Sequence, residues 1–194
     1  MGMPATRPPA RWTREMFYAL PEDGKRHEII DGVHYVTPSP SSVHQLLVGE
    51  LYLLLRPFVD RHALGWVFLS PWDVDLADDT IVEPDLVVVP RSGPRPPRAG
   101  TFGVVPLLAI EIISPSSVSR DRILKRRRYQ HAGIAEYWIV DPSSRLIERW
   151  RPSDERPEII TGTMRWLPAG AAEEMTFELA HILAASGLDD DDEG

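Results

Sequence analysis

Apolar and polar positions along this chain follow two rhythms, a helical period near 3.6 and a strand period of two, broken by turn residues. Thr13 can cap a short helix, TREMFYAL, with Met16, Phe17 and Leu20 on its apolar side. HEIIDGVHYV then reads as two strands joined at Asp31-Gly32, a strong hairpin dipeptide. Ser41 or Ser42 can cap a longer helix, in which Leu46, Leu47, Leu51, Leu54, Leu55 and Phe58 recur at helical spacing. WVFLSP and WDVDL are short strands broken at Pro71. IVEPDLVVVP is a strand disturbed by Pro84 and ended by Pro90. Five prolines and three glycines between 90 and 106 predict a loop there, because they leave little to pair.

LLAIEIIS is an apolar strand interrupted by one residue, Glu111. Residues 116–132 form a helix that ends at Gly133. AEYWIVD and RLIERWR are two more strands. MRWLPAGAAEEMTFELAHIL suggests a strand, a loop and a short amphipathic helix. A helix thus joins the core strands 107–113 and 136–141. That order predicts an α/β fold, with a mixed sheet containing a parallel crossover.

Composition narrows the picture. The 194 residues suit one domain, expected over 12–184, between an N-terminal arm (1–11) and an acidic, disordered tail (185–194). Five of the acidic residues form DDDDE at 189–193, so the net charge of -8 leaves about -3 for the rest. There is no cysteine, which excludes disulfides, thiolate metal sites and cysteine nucleophiles. The sequence contains neither a long apolar run nor an apolar segment near its start, so a cytoplasmic protein without a membrane span is expected. No phosphate-binding glycine loop and no GxSxG appears.

Two carboxylates stand out against this background. Asp85 follows Pro84 and precedes four apolar residues, and Glu111 lies among leucine and isoleucine. An ionised carboxylate in an apolar strand is costly unless paired or bound to a cation. On neighbouring strands the two would form an oxygen-rich site suited to Mg²⁺, which commonly takes one or two carboxylates and keeps several waters. The Ile112 carbonyl could add a third oxygen. The simpler alternative has each carboxylate ending a strand in solvent.

Asp121, Lys125 and Tyr129 follow at intervals of four on the next helix, along one face. Only Lys25 and Lys125 are lysine among 21 basic residues. A lysine facing the sheet would hold a water or phosphate oxygen, whereas a solvated basic face is the plainer reading. His44 is read as a helix-terminal histidine, with a role near phosphate or as an ordering hydrogen bond as the alternative.

Taken together, PD at 84–85, EII at 111–113 and the lysine on the following helix resemble the PD-(D/E)XK nuclease superfamily. HEIIDGVHYVTPSPSSVHQLLVGEL, VEPDLVVV, LLAIEIISPSS and RDRILKRRRYQHAGIAEYWIVDP resemble, in order, blocks of the Uma-type family of restriction-endonuclease-like proteins. The resemblance implies a restriction-endonuclease-like mixed central sheet flanked by helices, and a DNA endonuclease dependent on Mg²⁺, with Mn²⁺ as a substitute. It implies Asp85, Glu111 and the Ile112 carbonyl as metal ligands, Lys125 as the residue that positions the attacking water, and Glu28 as a further acidic catalytic residue. In the simplest motif the lysine stands two residues after the glutamate, where this chain has Ile113, so Lys125 must reach in from the helix. A homodimer is expected, since one site per chain cuts both strands most easily as a two-fold pair. The alternatives are an inactive module of the same fold that binds DNA or a protein partner, and a nuclease acting on RNA or on a particular nucleic-acid structure.

Overall fold

The computed structural model describes residues 11–188. The arm expected over 1–11, apart from Arg11, and the acidic run 189–193 lie outside the described residues.

Helix α1 (Arg14–Tyr18) is capped by the Thr13 side chain, which accepts from the Met16 N–H. Strands β1 (Arg26–Ile30) and β2 (Val33–Thr37) form the hairpin, and Asp31 and Gly32 both take positive φ in its turn. Helix α2 (Ser42–Arg61) starts on Ser41, whose hydroxyl accepts from the His44 N–H. Its Leu47, Leu51, Leu55 and Phe58 are buried as the spacing requires, but Leu46 is half exposed. Strands β3 (Gly65–Leu69), β4 (Val74–Ala77), β5 (Thr80–Val82), β6 (Leu86–Pro90) and β7 (Leu108–Ile112) follow. A π-helical turn over Arg120–Lys125 then runs into α3 (Arg126–His131), and β8 (Glu136–Asp141) and β9 (Leu146–Trp150) complete the core.

The C-terminal part differs from the sequence reading. A short strand, β10 (Glu158–Ile160), adds an edge to the central sheet. Strand β11 (Thr163–Trp166) pairs with β12 (Met175–Glu178), and only then does α4 (Leu179–Ala185) begin. Met175 and Phe177 are buried with exposed neighbours, a period of two that runs straight into the helical one. The folded chain also extends past 184. Ser186 is buried, its hydroxyl donating to the Ile182 carbonyl, and the Leu188 N–H donates to the Leu183 carbonyl.

The six-stranded central sheet has the order β10-β9-β8-β7-β6-β3, and only β7 and β8 are parallel. A four-stranded antiparallel sheet, β2-β1-β5-β4, lies apart from it. Successive side chains of a strand face opposite ways. Leu86, Val88, Leu108, Ile110, Ile112 and Trp138 therefore join one core with α2 and α4. Val87, Val89, Ala109, Tyr137 and Ile139 join another, with Tyr129 of α3 and with Ile30, Val74 and Val82 of the smaller sheet. The site grows out of this second face. No described helix is long and apolar enough to cross a membrane.

Candidate active site

β6 and β7 are antiparallel with Leu86 opposite Ile110. Continued by one residue, that register sets Asp85 across from Glu111, on the face that carries Val87 and Ala109. Continued by two, it sets Ile112 opposite Pro84. Proline has no N–H, so it offers the Ile112 carbonyl no ladder bond. The Ile112 N–H donates instead to Asp85 Oδ2, at 2.8 Å. The Pro-Asp pair thus ends β6, brings a carboxylate to the end of β7 and leaves a carbonyl there without its ladder donor.

Asp85 is almost fully buried, at 4% exposure. His44 Nε2 lies 2.9 Å from its Oδ2, and Arg26 donates to its Oδ1 at 2.9 Å. Burial pushes the Asp85 carboxyl up, but the His44 bond and charge, Arg26 and the Ile112 N–H outweigh it and hold the group at about 2. A carboxylate offers about four acceptor positions, and these three contacts leave one on Oδ1. Arg26 also donates to the Glu83 carbonyl at 2.5 Å.

Lys125 enters from the crossover helix. In an α-helix a residue four positions on is displaced by about 40° around the axis, at roughly 100° per residue. Over Asp121, Lys125 and Tyr129 that drift would spread the side chains across the face. The π-helical turn has more residues per turn and rotates the first step back the other way, so the three come into line. The Arg126 N–H donates to the Asp121 carbonyl, the five-residue step of a π turn. Lys125 is 1% exposed. Its Nζ lies 2.7 Å from Glu111 Oε1, 2.6 Å from Glu28 Oε1 and 3.8 Å from Asp121 Oδ1. The Tyr129 hydroxyl donates to Glu111 Oε1 at 3.1 Å. Tyr129 therefore orients the glutamate rather than the lysine.

Glu28 is fully buried in β1, and its Oε1 also accepts from the Glu83 N–H at 2.8 Å. Burial favours a neutral Lys125 amine, yet Glu111, Glu28 and Asp121 more than offset it and hold the ammonium. Glu111 is pushed well above the usual carboxylate range, by burial first, against the pull of Lys125, and by repulsion from Asp121, Asp85 and Glu28.

Three buried polar atoms next to this cluster lack partners: Glu28 Oε2, Asp121 Oδ1 and Arg120 Nε. Arg120 Nε is 3.7 Å from the first and 3.9 Å from the second, beyond hydrogen-bond range. Asp85, Glu111, Ile112, Asp121 and Lys125 all line one cleft of about 430 Å³, bounded by the 37–41 loop and by Ser114–Ser117. Among the described residues, no three His, Asp or Glu side chains form a ready-made metal cage.

The sequence-predicted residues thus meet in two linked groups. Glu28, Glu111 and Lys125 form one, and Asp85 is tied to it through the Ile112 backbone. Arg26 was missed by sequence reasoning, and His44, at the start of its helix, makes the ordering hydrogen bond that was the alternative reading, with Asp85 as its partner. Arg26 stands two residues before Glu28, so a strand period of two already sets both on one face. His44 carries no such signal, since the approach of α2 to Asp85 is a tertiary event.

A mixed sheet with a carboxylate pair at the end of two adjacent strands, and a helix crossing behind it, defines a restriction-endonuclease-like α/β protein. Residues 14–180 match the model of the Uma2 family, described as "Putative restriction endonuclease", and the chain belongs to that family. A solved structure from Anabaena variabilis, described as a putative nuclease belonging to DUF820, is similar with a TM-score of 0.75 and 22% identity. The match covers 90% of this chain and 98% of that one, and at this identity it speaks for the fold. No curated protein matches.

Proposed function

We propose that this protein is a Mg²⁺-dependent endodeoxyribonuclease that adds water across a phosphodiester P–O bond of DNA. The observation that carries the proposal is the set of buried carboxyl groups at the floor of the cleft. Glu28, Glu111 and Asp121 gather around a single lysine, while Asp85, across from Glu111, is paired with Arg26 and His44, and Arg120 stands at the margin. Buried charge of this kind is costly unless further compensated.

The oxygens on offer fit a hard divalent cation. Asp85 Oδ1 keeps one acceptor position, Pro84 leaves the Ile112 carbonyl without a ladder donor, and Glu111 Oε2 takes no bond from the described residues. Asp85, Glu111 and the Ile112 carbonyl would hold Mg²⁺, with Mn²⁺ as a substitute and water filling the remaining positions. Mg²⁺ bound there would supply Lewis acidity to a phosphate oxygen and lower the pKa of a bound water.

The protein's own groups do the rest. Lys125 has three N–H donors and gives two to Glu28 and Glu111. The third can hold an attacking water or a phosphate oxygen, and the charge stabilises the negative charge that develops at phosphorus. Glu28 fixes the ammonium from behind, and Tyr129 fixes the Glu111 carboxylate. Arg26 and His44 hold Asp85 ionised. A two-fold dimer would bring two such clefts to the two strands of a duplex.

A second reading is a nuclease-fold module that binds DNA or a protein without cutting. The near-complete burial of Lys125 favours it, because both bonded neighbours are carboxylates of the protein itself. The test is incubation of supercoiled plasmid and single-stranded DNA with the purified protein and Mg²⁺ or Mn²⁺, beside Asp85→Asn, Glu111→Gln and Lys125→Ala. Metal-dependent cleavage lost in all three variants supports the enzyme. Binding without cleavage under every condition supports the module.

A further inference from the structure

A second and larger cleft, of about 720 Å³, opens beside the first. The two share Arg26, Pro40, His44 and Asp85, so they adjoin, with Asp85 lining both. Apart from these shared residues, none of the groups in the proposed hydrolysis lines the second lobe.

Its walls and floor differ in character. Tyr18 and Leu69 contribute large apolar surface and are 48% and 40% exposed. The imidazole of His27 also lines the lobe. That ring is nearly coplanar with His34, joined to it edge to edge through a 2.9 Å Nδ1–Nε2 hydrogen bond, its Nε2 lies 2.8 Å from Asp23 Oδ1, and His34 lies 4.3 Å from the Trp12 ring. Bonded at both ring nitrogens, His27 is held in place as a flat aromatic surface. Tyr18 is held as well, edge-on to Phe17 at 5.2 Å. Gly100 packs so closely on the Tyr18 hydroxyl that a Cβ there would fall 2.0 Å from it.

Polar groups gather among the lining residues: the carboxyls of Asp73 and Glu83 and the hydroxyl of Ser70. Ser70 Oγ is buried without a hydrogen-bond partner, and Glu83 Oε2 has only an ion pair with Arg26 Nε at 3.4 Å. Buried polar atoms are nearly always paired, so unused capacity within a cleft calls for a partner. Lys25 stands at the rim, largely exposed.

Apolar and aromatic lining together with hydrogen-bonding groups matches one class of ligand, a planar heteroaromatic ring with a polar edge. Because Asp85 lines both clefts, that ring would belong to the strand whose phosphate lies in the first cleft. We propose that the second lobe is a nucleobase subsite, and that it takes an unpaired or extruded base adjoining the phosphate to be cut. This rests on the nuclease reading and sharpens it: the preferred substrate is single-stranded DNA, or duplex with an unpaired base, rather than fully paired duplex. A base inside a stacked duplex reaches such a lobe only after paying the energy of unpairing. Stacking on an aromatic side chain is tolerant of sequence, so the preference concerns pairing rather than base identity.

The experiment compares three labelled oligonucleotides of one sequence: single-stranded, fully paired, and paired with one bulged base. Affinity is read by fluorescence anisotropy in EDTA, and cleavage is read separately with Mg²⁺ or Mn²⁺. The proteins are the wild type, Tyr18→Ala and Tyr18→Phe, each checked for its melting temperature. The wild type should bind the single-stranded and bulged forms at least fivefold more tightly than the paired duplex. Tyr18→Ala should erase that preference while leaving duplex affinity unchanged, and Tyr18→Phe should keep it. Equal affinity of the wild type for all three forms overturns the subsite, as does a Tyr18→Ala protein that is folded and retains the full preference. Cleavage without preference leaves the nuclease reading standing and removes the subsite. A preference that depends on Tyr18, without cleavage of any form, keeps the subsite and removes the hydrolytic reading.

Discussion

Lys125 and Glu111 are 14 residues apart in the chain, yet the ammonium lies 2.7 Å from the glutamate Oε1, with both side chains sealed from solvent. The same ammonium holds Glu28, from a strand at the other end of the sequence, at 2.6 Å. One cation thus ties β1, β7 and the crossover helix together, and it neutralises carboxylates that would otherwise repel one another.

Replacing Lys125 with methionine should therefore cost about 3–5 kcal/mol, the range for a buried pair that loses one partner. Glu28 and Glu111 would then face each other without compensation. The double variant Lys125→Met with Glu111→Gln should recover part of that loss. Urea denaturation of the two single variants and the double variant measures the coupling. Strictly additive costs would show that the two groups do not stabilise each other.

Tyr129 reports on the same carboxylate more gently. Tyr129→Phe removes the hydroxyl that donates to Glu111 and leaves the ring packed near Tyr137. The expected loss is about 1 kcal/mol, the usual net value of one hydrogen bond. A change near zero would mean that water or Lys125 alone suffices to fix Glu111.

Mg²⁺ should raise the melting temperature of the wild type, because a ligand that binds only the folded state stabilises it. At a hundredfold excess over the dissociation constant the gain is about 2.7 kcal/mol. Asp85→Asn and Glu111→Gln should each abolish most of the shift. An undiminished shift in both, read by calorimetry, would place the cation elsewhere.

Glu83 makes stability depend on pH. Burial first, then the nearby Asp73 charge, raise its carboxyl to about 7, against the opposing pull of Arg26. The folded state therefore binds this proton more tightly than the unfolded chain does. Its contribution is complete below the ordinary glutamate range and drains away as pH rises through about 7. The wild-type melting temperature should fall between pH 5 and 8, and Glu83→Gln should flatten that slope. An identical slope in the variant would assign the dependence to other groups.

Gly65 tests the sheet edge. A Cβ at this position would lie 1.9 Å from the Val89 carbonyl oxygen on the paired strand. Gly65→Ala should destabilise the protein by on the order of 2 kcal/mol or more, since backbone has to move to relieve the clash. An unchanged denaturation midpoint would show that the β3–β6 pair shifts at little cost.

Local chemistry made much of this molecule legible from its sequence. The Asp31-Gly32 turn, the Ser41 cap of α2, the apolar run around Glu111 and the helix ended by Gly133 depend on neighbours a few residues away. The strand period of two puts Arg26 and Glu28 on one face, and helical spacing puts Asp121, Lys125 and Tyr129 near one line. β10 and β12 escaped because each is short and gains its strand character from a partner, β9 in one case and β11 in the other. What only the tertiary structure decided is which charges meet. The β6–β7 register brought Asp85 across from Glu111, α2 brought His44 to Asp85, and the crossover brought Lys125 between Glu28 and Glu111. Such contacts depend on how sheets and helices pack, and a buried charge takes whatever partner that packing brings within about 3 Å.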